Sequence, residues 1–368
     1  MNRLFAAMVA AGLVGSGTFL GAGFAAAETA VIVPGTSPSP YPALRALYHF
    51  DPASRVAIGQ NYYDSAGAPR KVVPYPGSLW PITGKDSPTL GNSVAMGTDT
   101  LGSTIRDTEG PVAVTGLSQG VLALNAEQNR LAHDPNAPGP DELTFIKAGN
   151  PDRLFTKYFR PGTHLPGLDY TVPVPAESQY DTVEIVGQYD IFSDPLDRPG
   201  NLVALANAMA AGGKNHTATA FSDPADIRPE DVTVRTNSRG ATTTTYYLRA
   251  DELPLVQLLR ESGVPDGMAD EMERVLCPVV ERAYGPAPAP VRPALRLPDL
   301  PNVVVPNVAP VTIPLNAAGN VVSAANAVRV LSQLGNALPD KPAPKLGLLP
   351  KKNPLPKIGI LPKGKKKR

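Results

Sequence analysis

The sequence predicts an α/β protein: a mostly parallel sheet with helices on both faces, followed by a Pro-rich extended C-terminal region. Three observations carry this. Short apolar runs alternate with amphipathic helical stretches between residues 29 and 285. One such run, Val112 to Val114, enters a tight glycine turn that opens directly into a helix. Beyond Gly285 the composition changes to proline, valine and lysine, which cannot build a sheet interior.

Taken in order, residues 1–27 read as a secretory signal. Arg3 is a short positive region, an apolar Gly/Ala-rich run follows to about Phe24, and Ala25-Ala26-Ala27 offers a cleavage site. An uncleaved membrane anchor is the alternative. Residues 28–285 form the body. Thr29 to Val33 is a buried-type strand that runs into the loop Pro34-Gly35-Thr36-Ser37. Lys71 to Val73 is a second strand, and Thr89 to Ile105 a helix with small residues on one face. After the strand at 112–114, a helix runs from the turn to about Ala132, and Leu143 to Lys147 is the next strand. Residues 152–180 carry few periodic signals and read as a cap over the site or a surface loop. Thr182 to Val186 is a strand, and Asn201 to Ala211 an Ala-rich helix expected to stop at Gly212-Gly213, leaving His216 in a loop. A strand at Thr242–Leu248 and helices at Leu253–Glu261 and Met268–Val280 complete the body. Residues 286–340 are a Pro-rich linker with one short helix, and 341–368 a basic Pro/Lys-rich tail expected to be disordered.

The chemistry centres on Gly116-Leu117-Ser118-Gln119-Gly120. A G-x-S-x-G turn between strand and helix is the layout of a nucleophile elbow, which holds a serine hydroxyl clear of an α/β-hydrolase sheet. The flanking glycines are needed because strand and helix nearly touch there. The Gln119 N–H at the helix start is placed to stabilise an oxyanion, and Thr36, after the first strand, is the candidate second donor. A serine hydroxyl needs a base, and the base an orienting acid. In this fold the chain order is serine, acid, histidine. Of four histidines, His49 precedes the serine, His133 lies at the far end of the elbow helix, and His164 precedes the acids at later strand ends. His216 remains. Asp190, just after the strand TVEIV, is the first candidate for the acid, and Asp194 in Ser193-Asp194-Pro195 the second.

With those residues in place, residues 29–285 resemble the PE-PPE domain, a serine α/β-hydrolase domain of mycobacteria and related actinobacteria with cutinase-like relatives. The likeness rests on GLSQG at the elbow, GNPDR at 149–153 and QYDIFSDP at 188–195. It also rests on YYLRADELPLVQLLR at 246–260 and ERAYG at 281–285. It implies a Ser118–Asp190–His216 triad and a fatty-acyl ester substrate, with esterases on short to medium chains and trehalose-glycolipid acyltransferases among its members. Pro34-Gly35-Thr36-Ser37 departs from the Gly-rich loop usual there, and no PE or PPE helical module precedes the domain.

Composition narrows the alternatives. Cys277 is the single cysteine, so no intrachain disulfide forms, and its apolar setting suits a small buried hydrophobe better than a nucleophile. No Cys/His grouping has metal-ligand spacing, so neither a metal nor a cofactor is expected. The net charge of +1 hides a division. Residues 341–368 hold ten Lys/Arg and no acid, leaving 24 basic against 33 acidic residues in the rest. With no nucleic-acid motif present, an anionic envelope surface is the partner this tail suits. The sequence therefore predicts an exported or envelope-associated serine esterase acting through an acyl-enzyme on Ser118. Two alternatives stand beside it: an acyltransferase on trehalose-type glycolipids, and a non-catalytic envelope-binding protein. Oligomeric state is not legible.

Overall fold

The structure is a computed structural model in which residues 29–40, 52–63 and 67–285 are described. The segment read as a signal, the Pro-rich linker and the basic tail lie outside the described residues. So does His49.

The centre is a seven-stranded mixed sheet. Its strands are β1 (Thr29–Val33), β2 (Arg70–Val72), β3 (Val112–Leu117), β4 (Leu143–Ala148), β7 (Thr182–Gly187), β8 (Val232–Thr236) and β9 (Thr242–Leu248). A two-stranded hairpin of β5 (His164–Leu165) and β6 (Tyr170–Thr171) lies apart from it. The order across the sheet is β2-β1-β3-β4-β7-β9-β8, and every neighbouring pair is parallel except β8 with β9. Six parallel strands therefore deliver their carboxyl ends, and the loops after them, to one edge. That edge is where α/β sheets bind ligands.

Side-chain alternation explains the layering. In β1, Val31 and Val33 pack with Leu101, Ile105, Leu124 and Phe145, whereas Ala30 and Ile32 pack with Ile58, Tyr62, Ile146 and Ala220. A strand buried on both sides reads as a continuous apolar run, which is how TAVIV appears in the sequence. The first face is covered by α1 (Leu90–Arg106) and α2 (Gln119–Leu131), which lie side by side. Thr89 caps α1, its hydroxyl accepting from the Asn92 N–H at 3.3 Å. Among the described residues the second face is covered by short 3₁₀ turns at Pro52–Ala57, Gln60–Tyr62 and Thr219–Phe221. These replace the full-length helices the alternation led us to expect there.

The strand and helix predictions agree with the structure to within three residues, with three differences. First, α4 (Leu202–Ala218) does not stop at Gly212-Gly213 but runs through them and carries His216 in its last turn. Two glycines lower helix stability by about 1 kcal/mol each. Tertiary packing overrides that: Ala204, Ala208 and Ala211 are fully buried against α5 (Pro254–Glu261) and α6 (Asp266–Glu281). Second, residues 152–180 are ordered. They form α3 (Asp152–Tyr158) and the β5–β6 hairpin, and they share a small core with Leu90 and Val94 of α1 and Leu122 of α2, in which the Phe155 and Tyr170 rings lie 5.2 Å apart. Third, the edge strand β8 was not foreseen; its exposed VTVRT has no buried face to give it a pattern. Cys277 is half-buried against the α4–α5–α6 core, not fully buried as its apolar run suggests.

Candidate active site

β3 ends in a turn at Ser118, and α2 begins at the next residue. Ser118 has φ 54° and ψ −120°, a left-handed backbone that a non-glycine residue adopts only under constraint. Such a conformation costs on the order of 1–3 kcal/mol and recurs at functional turns. Gly120 is what allows it: a Cβ there would lie 2.1 Å from the Val33 carbonyl oxygen. Gln119 is buried and bolts the turn in place. Its Nε2 donates to the Ser78 carbonyl at 2.6 Å, and its Oε1 accepts from Ser93 Oγ at 3.4 Å. Its backbone N–H, the first of α2, has no acceptor within the helix and stays available beside Ser118.

The loop after β1 approaches from the other side. Ser37 N–H donates to Gly77 O at 2.7 Å and Ser37 Oγ to Pro76 O at 2.8 Å, so the loop is clamped to the chain that follows β2. No such bond engages the Thr36 N–H among the described residues. Thr36, Ser118, Gln119 and His216 line one cavity of about 300 Å³. The remainder of its wall is mainly apolar, with Leu79, Ile82, Leu90, Leu122, Leu154, Phe155 and Leu168. The last three belong to the segment 152–180, which thereby roofs the cavity.

His216 and Asp190 meet behind this wall. His216 Nδ1–H donates to Asp190 Oδ2 at 2.8 Å, and both side chains are buried. That bond fixes the ring's tautomer and leaves Nε2, which is buried and without a hydrogen-bond partner among the described residues, as the free acceptor. The ring is seated against Phe192, with centroids 4.8 Å apart. Its other side rests on Gly149, where φ is +59° and a Cβ would fall 2.7 Å from the ring. Asp190 itself lies outside the cavity lining, fully buried. Burial opposes its ionisation, but the His216 ring, the Ser193 hydroxyl and the Phe192 N–H outweigh that and hold its carboxyl below the usual carboxylate range.

Asp194, the second candidate acid, does something else. Its Oδ2 accepts from the Tyr189 N–H at 3.0 Å and the Tyr247 hydroxyl at 2.9 Å. Burial dominates there and raises its carboxyl above the usual range, despite those two donors. Among the described residues no hydrogen bond or ion pair joins it to His216. Of the remaining histidines, His133 closes the far end of the elbow helix, its Nδ1 2.8 Å from Asn129 O, and His164 sits on the β5–β6 hairpin beside Asp169. The structure thus brings Ser118, Gln119, Thr36 and His216 to one cavity, with Asp190 behind His216, and leaves Asp194 out.

Three residues at the site were not singled out from sequence. Ser193 Oγ donates to Asp190 Oδ2 at 2.6 Å, the same oxygen that takes His216. Arg153 holds the loop carrying both, its Nε donating to Ser193 O at 2.5 Å and its Nη1 to Glu184 at 3.2 Å. Gly149 supports the imidazole. Arg153 and Gly149 are the ends of the GNPDR stretch and Ser193 lies in QYDIFSDP, so their sequence signal was present without its physical meaning.

Among the described residues no group of His, Cys, Asp and Glu is placed to hold a metal ion, and no helix is long and apolar enough to cross a membrane.

The PE-PPE domain family matches residues 66–285. The chain belongs to that family. It is 58% identical over 292 residues to the SL1278 acyltransferase Chp1 of Mycobacterium tuberculosis, covering 79% of this chain and 72% of that protein. It is 38% identical over 316 residues to the diacyltrehalose acyltransferase Chp2 of the same organism, covering 77% of this chain and 88% of the relative. The esterase PE16 is more distant, 31% identical over 220 residues, or 57% of this chain and 41% of that protein. Acyl-ester chemistry is therefore what the named relatives share. The family match begins at residue 66, downstream of β1 and of the loop that carries Thr36.

Proposed function

We propose that this PE-PPE domain protein is a serine acyltransferase on trehalose-type glycolipids, with hydrolysis as the competing outcome of the same acyl-enzyme. The observation that carries the chemistry is the alignment of the Asp190–His216 pair behind a cavity that Ser118 enters on a strained elbow. The relatives favour transfer over the plain esterase reading, because the two with broadest coverage are named acyltransferases.

In this reading His216 Nε2 takes the proton of Ser118 Oγ as the oxygen attacks the ester carbonyl of the donor. The negative charge that develops on the carbonyl oxygen is met by the Gln119 and Thr36 N–H groups. Asp190 keeps the imidazole oriented and stabilises its charged form. The carbon–oxygen bond to the leaving alcohol breaks, and His216 returns the proton to that alcohol. An acceptor hydroxyl then gives its proton to His216 and attacks the acyl carbonyl. The bond to Ser118 Oγ breaks and His216 returns the proton to that oxygen. If water takes the acceptor's place, the outcome is hydrolysis. The apolar wall takes the acyl chain, each buried methylene contributing about 0.8 kcal/mol until the cavity is full.

Export through residues 1–27 and attraction of the 341–368 tail to an anionic envelope surface complete the proposal. The tail's ten positive charges and lack of acid support it. Deleting 341–368 is expected to release the protein from anionic vesicles at low salt.

The test is product analysis. The purified protein is incubated with an acyl ester, with and without trehalose or a partly acylated trehalose. Acylated trehalose appearing at the expense of free acid supports transfer; free acid alone at saturating acceptor makes the protein an esterase.

A further inference from the structure

The cavity in front of Ser118 has walls of two origins. Its reacting end is built by the sheet edge, with Thr36 after β1, Ser118 and Gln119 at the elbow, and His216 from α4. Of residues 159–180, only Leu168 lines it, and Leu168 lies at the tip of the β5–β6 hairpin, apart from the main sheet. It packs with Leu90, Leu122 and Phe155, which line the cavity too. One wall residue is therefore placed by the hairpin and not by the strands that place Ser118.

The hairpin tip is clamped to the first turn of α1. The Gly91 N–H donates to Leu168 O at 3.0 Å. A Cβ at Gly91 would fall 1.7 Å from Asp169 O, so glycine is what lets helix and hairpin approach this closely. Asp169 has φ 51°, a left-handed backbone that non-glycine residues seldom adopt. Its side chain holds it there. Oδ2 accepts from Thr89 Oγ1 at 3.3 Å and from Asn92 Nδ2 at 3.2 Å, beside the positive end of the α1 dipole. The base of the hairpin is fixed separately, Tyr170 OH donating to Asp152 Oδ1 at 2.8 Å. The Asp169 side chain is exposed and adds nothing to the core; its bonds fix the position of its neighbour, Leu168.

We infer that the β5–β6 hairpin is the acyl-length gauge of this site: Leu168 limits how much of the chain the cavity takes, and Asp169 is the positioning residue that holds Leu168 in the wall. Because the hairpin stands apart from the elbow and the Asp190–His216 pair, its substitution changes which chains fit and leaves the reacting groups in place. The inference rests on the acyl-transfer reading for the identity of the ligand, but the binding step needs no turnover and is tested separately.

The experiment is titration calorimetry on the full-length Ser118→Ala protein with a homologous series of saturated fatty acids, each kept below its micelle concentration. Affinity is expected to rise about fourfold with each added methylene and then to stop. Leu168→Ala in the same background should move that stop about two methylenes further out, and Leu168→Phe should bring it in. Asp169→Ala should move it out as well. Asp169→Asn, which keeps an acceptor for Thr89 and Asn92, should leave it near the parent. Thermal midpoints confirm that each variant is folded. A stop that stays put in both Leu168 variants would overturn the assignment, as would affinity that does not depend on chain length in the parent. An Asp169→Ala protein that melts lower with its stop unmoved would show a merely structural role and remove Asp169 from the gauge. Failure of acyl transfer itself would show as absence of an acyl-enzyme in the unsubstituted protein and leave these affinities readable.

Discussion

Two loops at the carboxyl edge of one sheet supply the candidate machinery, and they are built in opposite ways. The turn after β3 is local. Five consecutive residues set its geometry, Gly120 lets Ser118 adopt its left-handed backbone, and the helix dipole arrives with the next residue. The loop after β7 is assembled from far away. Asp190 takes its partner from α4, while Arg153 from α3 grips Ser193. Tyr247 from β9 grips Asp194, and Tyr189 OH donates to Glu281 near the end of α6. The closing ERAYG stretch also holds it, with Ala283 O accepting from the Asp197 and Arg198 N–H groups. The candidate nucleophile is placed by a motif; the candidate base and acid are placed by the whole domain.

The comparison predicts unequal fragility. The largest effect is expected at the local turn: Ser118→Ala should lower ester turnover by about 10⁶-fold, with the thermal midpoint nearly unchanged, since alanine fits and only the nucleophile is lost. Steady-state kinetics and a thermal melt check it together. At the assembled loop, Asp190→Asn should cost about 10⁴-fold through loss of the orienting carboxylate. Residual turnover well above that in this variant would move the acid elsewhere.

Ser193→Ala sharpens the contrast, because it touches neither substrate nor His216. It removes one donor from Asp190 Oδ2, and turnover is expected to fall about tenfold. The sign of its pH dependence follows from Asp190. A carboxyl held lower in the folded state stabilises the fold above its unfolded value of about 3.9, and that stability is lost as pH falls through the folded value. The variant should therefore melt below the parent at pH 7, and the gap should close below about pH 4. A merely structural defect would keep the gap at all pH values.

The smallest effect is expected at Asp194. Its carboxyl is raised above the ordinary range, so in ionised form it opposes folding near neutrality. An asparagine oxygen still accepts from Tyr189 N–H and Tyr247 OH. Asp194→Asn should change turnover by no more than about threefold, on the scale of one retained hydrogen bond. An Asp194 variant more damaged than the Asp190 variant would invert the comparison.

The same division governs what the sequence reveals. The sheet strands TAVIV, VAVTGL and TVEIV announce themselves by short, mainly apolar runs, interrupted only by Thr115 in the second and Glu184 in the third. The elbow announces itself by its glycines. Asp190 is legible because it follows a strand end, but its advantage over Asp194 is not, since only the position of α4 separates them. α4 in turn reads as ending seven residues too early, because Gly212-Gly213 is locally a stop signal and its continuation depends on packing against α5 and α6. The roles of Ser193, Gly149 and Arg153 are not legible for the same reason: each acts on a residue at least three positions and up to 67 positions away in the chain, as in the pairing of Gly149 with His216. The edge strand β8 has no inward face to leave a trace.

The central claim is that Ser118 becomes acylated with Asp190 and His216 behind it. Intact-protein mass spectrometry after rapid acid quench of a reaction with a medium-chain activated ester tests it most directly. We predict a single acyl adduct, mapped to the peptide containing Ser118, absent from Ser118→Ala and formed orders of magnitude more slowly in Asp190→Asn. Turnover without any adduct on Ser118, or an adduct that persists in Ser118→Ala, would contradict the account.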